Sequence, residues 1–202
     1  MDPVSPVILE TERLYAREFV QSDAASVFEY AGSIENTGFL PFSPEPMEEV
    51  VKYVGRRLAD QIESPRRQYE LAVCLKDTDE MIGAMTLKLS EDGRQAELGY
   101  VFNMRFWHKG YATEAARGFL KLGFLGFEVD RIFAWCDEEN TASARVMERI
   151  GMRREGVFKK DRYTRAFARE GWRSTCYYAI LKKEYLMALP DGDYSPDGAE
   201  TR

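Results

Sequence analysis

The stretch from Ala96 to Phe127 limits the fold more than any other part of the chain, because its periodicity changes once and sharply. Ala96 to Phe102 reads as a strand, whereas Ala116, Phe119, Leu120, Gly123, Phe124 and Phe127 recur at helical spacing and share one face. Between the two lies the turn Trp107 to Ala112, which delivers the chain to a helix N-terminus. The first turn of a helix carries N–H groups without intrahelical partners and a partial positive charge, so a strand–turn–helix of this kind attracts phosphate. Gly110 lets the backbone approach an anion closely, and Ala112 leaves the next contact unobstructed. The turn is not a P-loop, since the second glycine and the Gly-Lys-Ser/Thr ending are missing. Nor is it a Rossmann fingerprint, of whose three glycines it holds one.

The segments on either side fill out a mixed α/β order. Val7 to Phe19 reads as one first strand, and Ser22-Asp23 offers an N-cap for a helix carrying Val27, Phe28 and Tyr30 and closed by Gly32. Ser43-Pro44 starts a second helix whose stripe is Val51, Val54, Leu58 and Ile62. The irregular stretch Thr37 to Pro46, with Phe39, Leu40 and Phe42, suits either a substrate-cleft wall or a packed connector. Glu70 to Lys76, Met81 to Ser90 and Ala96 to Phe102 are joined by short polar turns and predict an antiparallel meander. Arg131 to Cys136 is a short strand, Asn140 to Ile150 a helix ended by Gly151, and Thr175 to Leu181 a last strand. Residues 7–185 are thus read as one domain. Residues 186–202, with prolines, glycines and the acids Asp191, Asp193, Asp197 and Glu200, are expected to form a disordered tail.

Composition narrows the function. A net charge of -6 disfavours a broad nucleic-acid-binding face and would suit a cationic partner. Cys74, Cys136 and Cys176 form no CxxC pair and His108 is the only histidine, so a zinc site lacks ligands and no metal is expected. Three thiols inside apolar runs, no basic-then-apolar leader and no apolar run near the ~18 residues that span a bilayer predict a cytoplasmic protein without a membrane partner.

Four segments carry a resemblance. Trp107-x-Lys109-Gly110-Tyr111-Ala112-Thr113-Glu114-Ala115 resembles the pyrophosphate motif of the GNAT acetyltransferases, in particular the RimJ/RimL-like branch that acetylates ribosomal-protein N-termini. Thr11-Glu12-Arg13-Leu14 with Arg17 resembles the opening strand of that branch, and Glu97 to Tyr100 its fourth strand. Asn140 to Met152 resembles the second cofactor motif, Asn-x-x-Ser followed by a short helix and Gly-Phe. Met152 replaces the usual aromatic there, and Trp107 stands where the wider superfamily has Gln or Arg. Neither change removes a backbone donor.

The resemblance implies a mixed, mostly antiparallel sheet splayed between its fourth and fifth strands, with the pantetheine arm of acetyl-CoA running into the split. It implies direct, metal-free transfer of acetyl to a primary amine, either a peptide N-terminus or a small molecule, by a chain that is often dimeric. A catalytically degenerate CoA-binding regulatory module and a structural interaction protein are the competing classes. Cofactor positions on this reading are Tyr100, Val101, Arg105, His108, Lys109, Gly110, Tyr111, Ala112, Thr113, Asn140 and Ser143. His108 and Lys109 act there through backbone N–H groups, Trp107 is a packing anchor, and Arg105 suits a solvated loop charge as well as a phosphate contact. A backbone N–H near Tyr100 or Val101 would meet the oxyanion. Glu97 is the candidate general base, with a solvent-facing edge charge as its bland counterpart. Ser143 resembles the family's catalytic hydroxyl near the cofactor thiol and suits a plain first-turn helix residue as well. Tyr177 and Tyr178 are the candidate acids, Tyr178 foremost, and serve equally well as core aromatics. Phe158, Tyr163, Phe167 and Trp172 are candidates for the acceptor wall.

Overall fold

A computed structural model describes residues 7–40, 44–164 and 170–189. Eight strands form one sheet: β1 (Val7–Glu10), β2 (Leu14–Arg17), β3 (Gln68–Leu75), β4 (Met81–Leu89), β5 (Gln95–Phe102), β6 (Arg131–Asp137), β7 (Arg153–Thr164) and β8 (Gly171–Leu181). Among the described residues six α-helices accompany them: α1 (Ala24–Ala31), α2 (Ile34–Thr37), α3 (Met47–Asp60), α4 (Tyr111–Lys121), α5 (Thr141–Arg149) and α6 (Lys182–Ala188). The sheet order is β1-β2-β3-β4-β5-β6-β8-β7, and every pairing is antiparallel except β5 with β6. This is the expected mixed, mostly antiparallel sheet flanked by helices.

Alternation along the strands builds two cores. Leu71, Val73, Met85, Leu87, Ala96 and Leu98 point to one face and pack against Phe119 and Leu120 of α4 and Met147 of α5. Ala72, Cys74 and Ala84 point to the other and meet Val27 and Tyr30 of α1 and Val50 and Val54 of α3. The α4–α5 face and the α1–α3 face are therefore distinct sides of the same sheet.

Several expectations change. The first strand is two, broken at 11–13, where Thr11 and Arg13 are tied to Glu114 of α4 while the Arg13 carbonyl still accepts from the Lys76 N–H beside β3; the split therefore falls between β5 and β6. Helix α3 begins at Met47 and buries Val50 and Val54, while Val51 and Ile62 are exposed. The long helix ends its α-type hydrogen bonding at Lys121 and continues to Gly126 as a π-turn. There Gly123 sits so close to Ile132 that an added Cβ would lie 2.6 Å from the isoleucine Cδ1. Strand β7 had no counterpart in the sequence pattern. Helix α6 carries Leu186 to Ala188 into the segment expected to be tail; residues 190–202, and the wall candidates Phe42 and Phe167, lie outside the described residues. Among the described residues no helix is long and apolar enough to cross a membrane.

Candidate functional site

The turn between β5 and α4 is built by local side-chain bonds. Trp107 Nε1 donates to the Phe102 carbonyl (2.8 Å), which also accepts from Asn36 Nδ2 of α2 (3.1 Å). Asn36 Oδ1 accepts in turn from the Met104 N–H (2.6 Å). Trp107 is thus an anchor, as expected. His108 and Gly110 then take left-handed backbone conformations, with φ of 62° and 82°, and Gly110 becomes the N-cap of α4. It offers no capping side chain, and the first intrahelical bond runs from Glu114 N–H to Gly110 O (3.0 Å). The N–H groups of Tyr111, Ala112 and Thr113 are consequently open to an anion, which is the fit a pyrophosphate requires. Arg105 points elsewhere: its guanidinium pairs with Glu29 (2.9 Å) and Glu80 (3.4 Å) toward α1.

Glu114 explains why the β1–β2 turn breaks the first strand. Its Oε1 accepts from Thr11 Oγ1 (2.7 Å) and from the Arg13 N–H (2.8 Å), while Oε2 accepts from Arg13 Nε (2.7 Å). Arg13 Nη1 also donates to the Lys109 carbonyl (3.1 Å), and its guanidinium lies 4.5 Å from the Tyr111 ring centre. Partial burial opposes the charge on Glu114, but the Thr11 and Arg13 hydrogen bonds and the Arg13 cation hold its carboxyl below the usual carboxylate range. The depressed value means that the stabilisation is complete above the ordinary glutamate pKa of ~4.3 and is lost as pH falls through the lower folded value. Glu114→Ala is expected to cost ~1–3 kcal/mol at pH 7, since three donors lose their acceptor at once. Thermal unfolding would show a drop of ~2–4 °C per kcal/mol. A mutant that melts like wild type at pH 7 would show that the Thr11 and Arg13 bonds to Glu114 do not stabilise the fold.

The split is directly visible in the register. β5 and β6 pair only at Gln95–Arg131, Ala96–Ile132 and Glu97–Phe133, then diverge into a wedge. Asn103 N–H donates to Ile82 O and Ser90 N–H to Gln95 O, so odd-numbered residues of β5 spend their backbone groups on β4. Alternation then turns the N–H and C=O of Leu98 and Tyr100 into the wedge. Of the two N–H groups singled out by sequence, Tyr100 faces the opening and Val101 faces β4.

Side chains divide by face. Glu97, on the last paired rung, lies on the α1–α3 face, and its Oε1 accepts from Trp135 Nε1 (2.7 Å). Arg162 covers the Trp135 ring at 5.3 Å. Its neighbour Asp137 is held by Arg173 through Nε (2.7 Å) and Nη2 (2.8 Å). Burial raises the Asp137 carboxyl, but the Arg173 bonds and the cations around it bring it below the usual range. Register puts Tyr177, opposite Trp135, on this face, and Phe158 packs edge-on to Tyr177 at 4.9 Å. Tyr163 and Trp172 form a separate exposed pair at the far end of the β7–β8 hairpin.

The opposite face carries the second constellation. Asn140 Oδ1 accepts from the Ser143 N–H (3.0 Å), capping α5 and fixing Ser143 at its first turn. Ser143 Oγ lies 2.8 Å from the Tyr100 hydroxyl. Burial pushes the Tyr100 phenol well up from its ordinary value, with the Ser143 bond opposing, and pushes the Cys136 thiol beside Ser143 up to about 12. Tyr178 is buried on this same face; its hydroxyl is 3.3 Å from Glu148, and burial raises it to about 12. The structure therefore brings Ser143 together with Tyr100 and places Glu97 on the opposite face of the sheet from them. Trp135, Arg162, Asp137 and Arg173 went unnoticed in the sequence, where each reads as an ordinary strand residue.

Comparison with known proteins agrees with this geometry. Residues 13–153 match the family model described as an acetyltransferase (GNAT) domain. The uncharacterized N-acetyltransferase YnaD of Bacillus subtilis (strain 168) is 36% identical over 177 residues, covering 88% of this chain and 98% of its own length. A GNAT-family acetyltransferase from Bacillus anthracis, of known crystal structure, is 34% identical with a TM-score of 0.76, covering 87% of this chain and 98% of that one. RimL, the ribosomal L7/L12 alpha-N-protein acetyltransferase solved in complex with coenzyme A, shares the fold with a TM-score of 0.73 over 87% of this chain and 98% of that one. Its identity is 17%, so that likeness speaks for the fold alone.

Proposed function

The chain belongs to the GNAT acetyltransferase family and is an acyltransferase; from that premise we propose that it transfers acetyl from acetyl-CoA to a primary amine, in the manner of the RimL-like branch and in the cytoplasm. The observation that carries this reading is the wedge between β5 and β6, with an open helix N-terminus at one end and a carboxylate at its apex. The N–H groups of Tyr111 to Thr113 hold the pyrophosphate of the cosubstrate, with His108, Lys109 and Gly110 shaping the turn. The free backbone edge at Leu98 and Tyr100 takes the pantetheine amides as a missing strand would. When bound, acetyl-CoA supplies an activated acyl group with a thiolate as its leaving group.

The two faces then divide the work. Glu97 lies on the amine side, where it accepts a proton from the ammonium or orients it. Ser143 and Tyr100 lie on the sulfur side. A thiol of ordinary pKa ~8.5 leaves readily as thiolate, and a phenol pushed upward is too weak an acid to protonate it outright. These hydroxyls act as hydrogen-bond donors to developing charge, with the Tyr100 N–H donating to the carbonyl oxygen. Tyr178, one strand farther and engaged with Glu148, supports this pair from behind. The Trp135–Tyr177 aromatic surface borders the acceptor.

Thiol release from acetyl-CoA, measured against a panel of amines that includes peptides with free N-termini, tests the reading. Turnover with at least one primary amine is expected. CoA binding without acceptor-dependent thiol release from any of them would convert the assignment to a regulatory CoA-binding module.

A further inference from the structure

A groove of about 630 Å³ runs along α4 from Gly110 past Arg117 to Lys121. Among the described residues its cations Arg117, Lys121 and Arg149 have no carboxylate partner; Arg117 Nη2 donates to the Arg149 carbonyl (3.2 Å). Of the two carboxylates that line it, Glu114 is neutralised by Arg13 (2.6 Å) and Glu12 is exposed. The groove is therefore left net positive in a chain whose net charge is -6. Leu189, which caps α6, lines the same groove, so residues 190–202 continue from its wall. That segment carries Asp191, Asp193, Asp197 and Glu200 against a single cation, Arg202.

We infer that the groove is a docking surface for this acidic segment of the same chain, and that the docked segment competes with an anion on the α4 N-terminus. The docking stands on the groove alone, whereas the competition rests on the proposed acetyl-CoA reading. Charge supports the pairing, since carboxylates meet guanidinium and ammonium groups that no other carboxylate holds. Reach supports it too. Residues 190–202 extend over at most ~45 Å, and the groove from Lys121 to Gly110 follows ~16 Å of helix axis. Single exposed ion pairs contribute only ~0.2–1 kcal/mol. Tethering at the groove's own wall supplies an effective concentration in the millimolar range, at which a contact too weak to join separate molecules is populated within one. Because Gly110 belongs to the groove, carboxylates lying along it lower the positive potential that the Tyr111 to Thr113 N–H groups offer an anion.

Zero-length carbodiimide cross-linking of the full wild-type chain, read by peptide mass mapping, tests the docking without any cosubstrate. Lys121 is expected to be joined to a carboxylate of residues 190–202 within one chain. Salt at about 1 M, where the Debye length falls to ~3 Å, should suppress the product. Absence of that link, or its formation only between two copies, would overturn the docking. Titration calorimetry with CoA then tests the competition. Asp191→Asn, Asp193→Asn, Asp197→Asn and Glu200→Gln together should tighten CoA binding ~3–10-fold at low salt, the factor expected when the groove is free in roughly a third to a tenth of wild-type molecules. In a Lys121→Ala/Arg149→Ala background the same four changes should have no effect, because the docking they would relieve is already lost. Equal CoA affinity with and without the four acids would overturn the competition, and so would an equal gain in both backgrounds, which is the mark of general charge repulsion. Failure of every variant to bind CoA, with the Lys121 link present, would overturn the acetyl-CoA reading and leave the docking standing.

Discussion

Replacing Gly110 by aspartate is expected to abolish measurable CoA binding while leaving the fold intact. Two effects of different size act at this position. Its φ of 82° lies in the left-handed region, where a side chain costs ~1–2 kcal/mol. Aspartate is among the residues that tolerate that region best, so strain is the smaller part. The larger part is charge: a carboxylate placed where the diphosphate must sit sets like charges together, at a cost of several kcal/mol, and each ~1.4 kcal/mol is tenfold in affinity. A loss of ~100-fold or more follows. An added Cβ would lie 3.5 Å from Arg13 Nη2, so the new carboxylate also draws that guanidinium over the open N–H groups. Gly110→Ala isolates the strain and should cost ~10-fold or less. Calorimetry on both variants, with circular dichroism as the folding control, decides the matter. A Gly110→Asp protein that binds CoA like wild type would mean that the anion sits elsewhere.

Glu97→Gln should lower turnover by ~10²-fold or more without changing CoA affinity, the usual worth of a positioned base. The glutamine amide oxygen still accepts from Trp135 Nε1, so the geometry survives and only proton acceptance is lost. The acceptor sets how large the effect becomes. An α-amino group of pKa ~7.7–8.0 is already about a tenth neutral at pH 7, whereas a lysine-like amine at ~10.4 is neutral in roughly four molecules per ten thousand. The deficit is therefore larger for aliphatic amines than for peptide N-termini, and raising the pH should partly rescue it by supplying free amine from solution. A change confined to the Michaelis constant for the amine would assign Glu97 to binding the cation. No change in either constant would make it an edge charge.

Much of this arrangement is written locally and could be read from the sequence. The meander β3–β5 announces itself through short polar turns, and the helix stop at Gly151 through a left-handed glycine with φ of 88°. The phosphate turn is legible for the same reason: its donors are backbone groups, and a change of period reveals where they are exposed. What stayed hidden depends on distant partners. Strand β7 shows no apolar alternation because it is the sheet edge and mostly exposed, so nothing forces a pattern on it. The Tyr100–Ser143 pair joins residues 43 positions apart, and Glu97–Trp135 joins residues 38 apart. Arg17 of the opening motif is now accounted for by its ion pair with Asp23 (2.8 Å) at the start of α1, rather than by any ligand. The sheet face reached by Glu97 follows from alternation alone, yet only the divergence of β6 turns that face into a cleft.

The bonds from Thr11 and Arg13 to Glu114 span 101 to 103 residues of chain. Closing so long a loop carries an entropic cost that the hairpins inside it do not bear, so these bonds depend on the hairpins being in place. The cofactor turn is consequently tied to correct assembly of the first half of the sheet. A chain whose opening strand pair has slipped in register would keep its meander and its helix α4 but lose the clamp on Lys109 and Glu114. Such a chain would be folded by most spectroscopic measures and still incompetent toward the anion, which makes cosubstrate binding a stricter test of native topology than secondary-structure content.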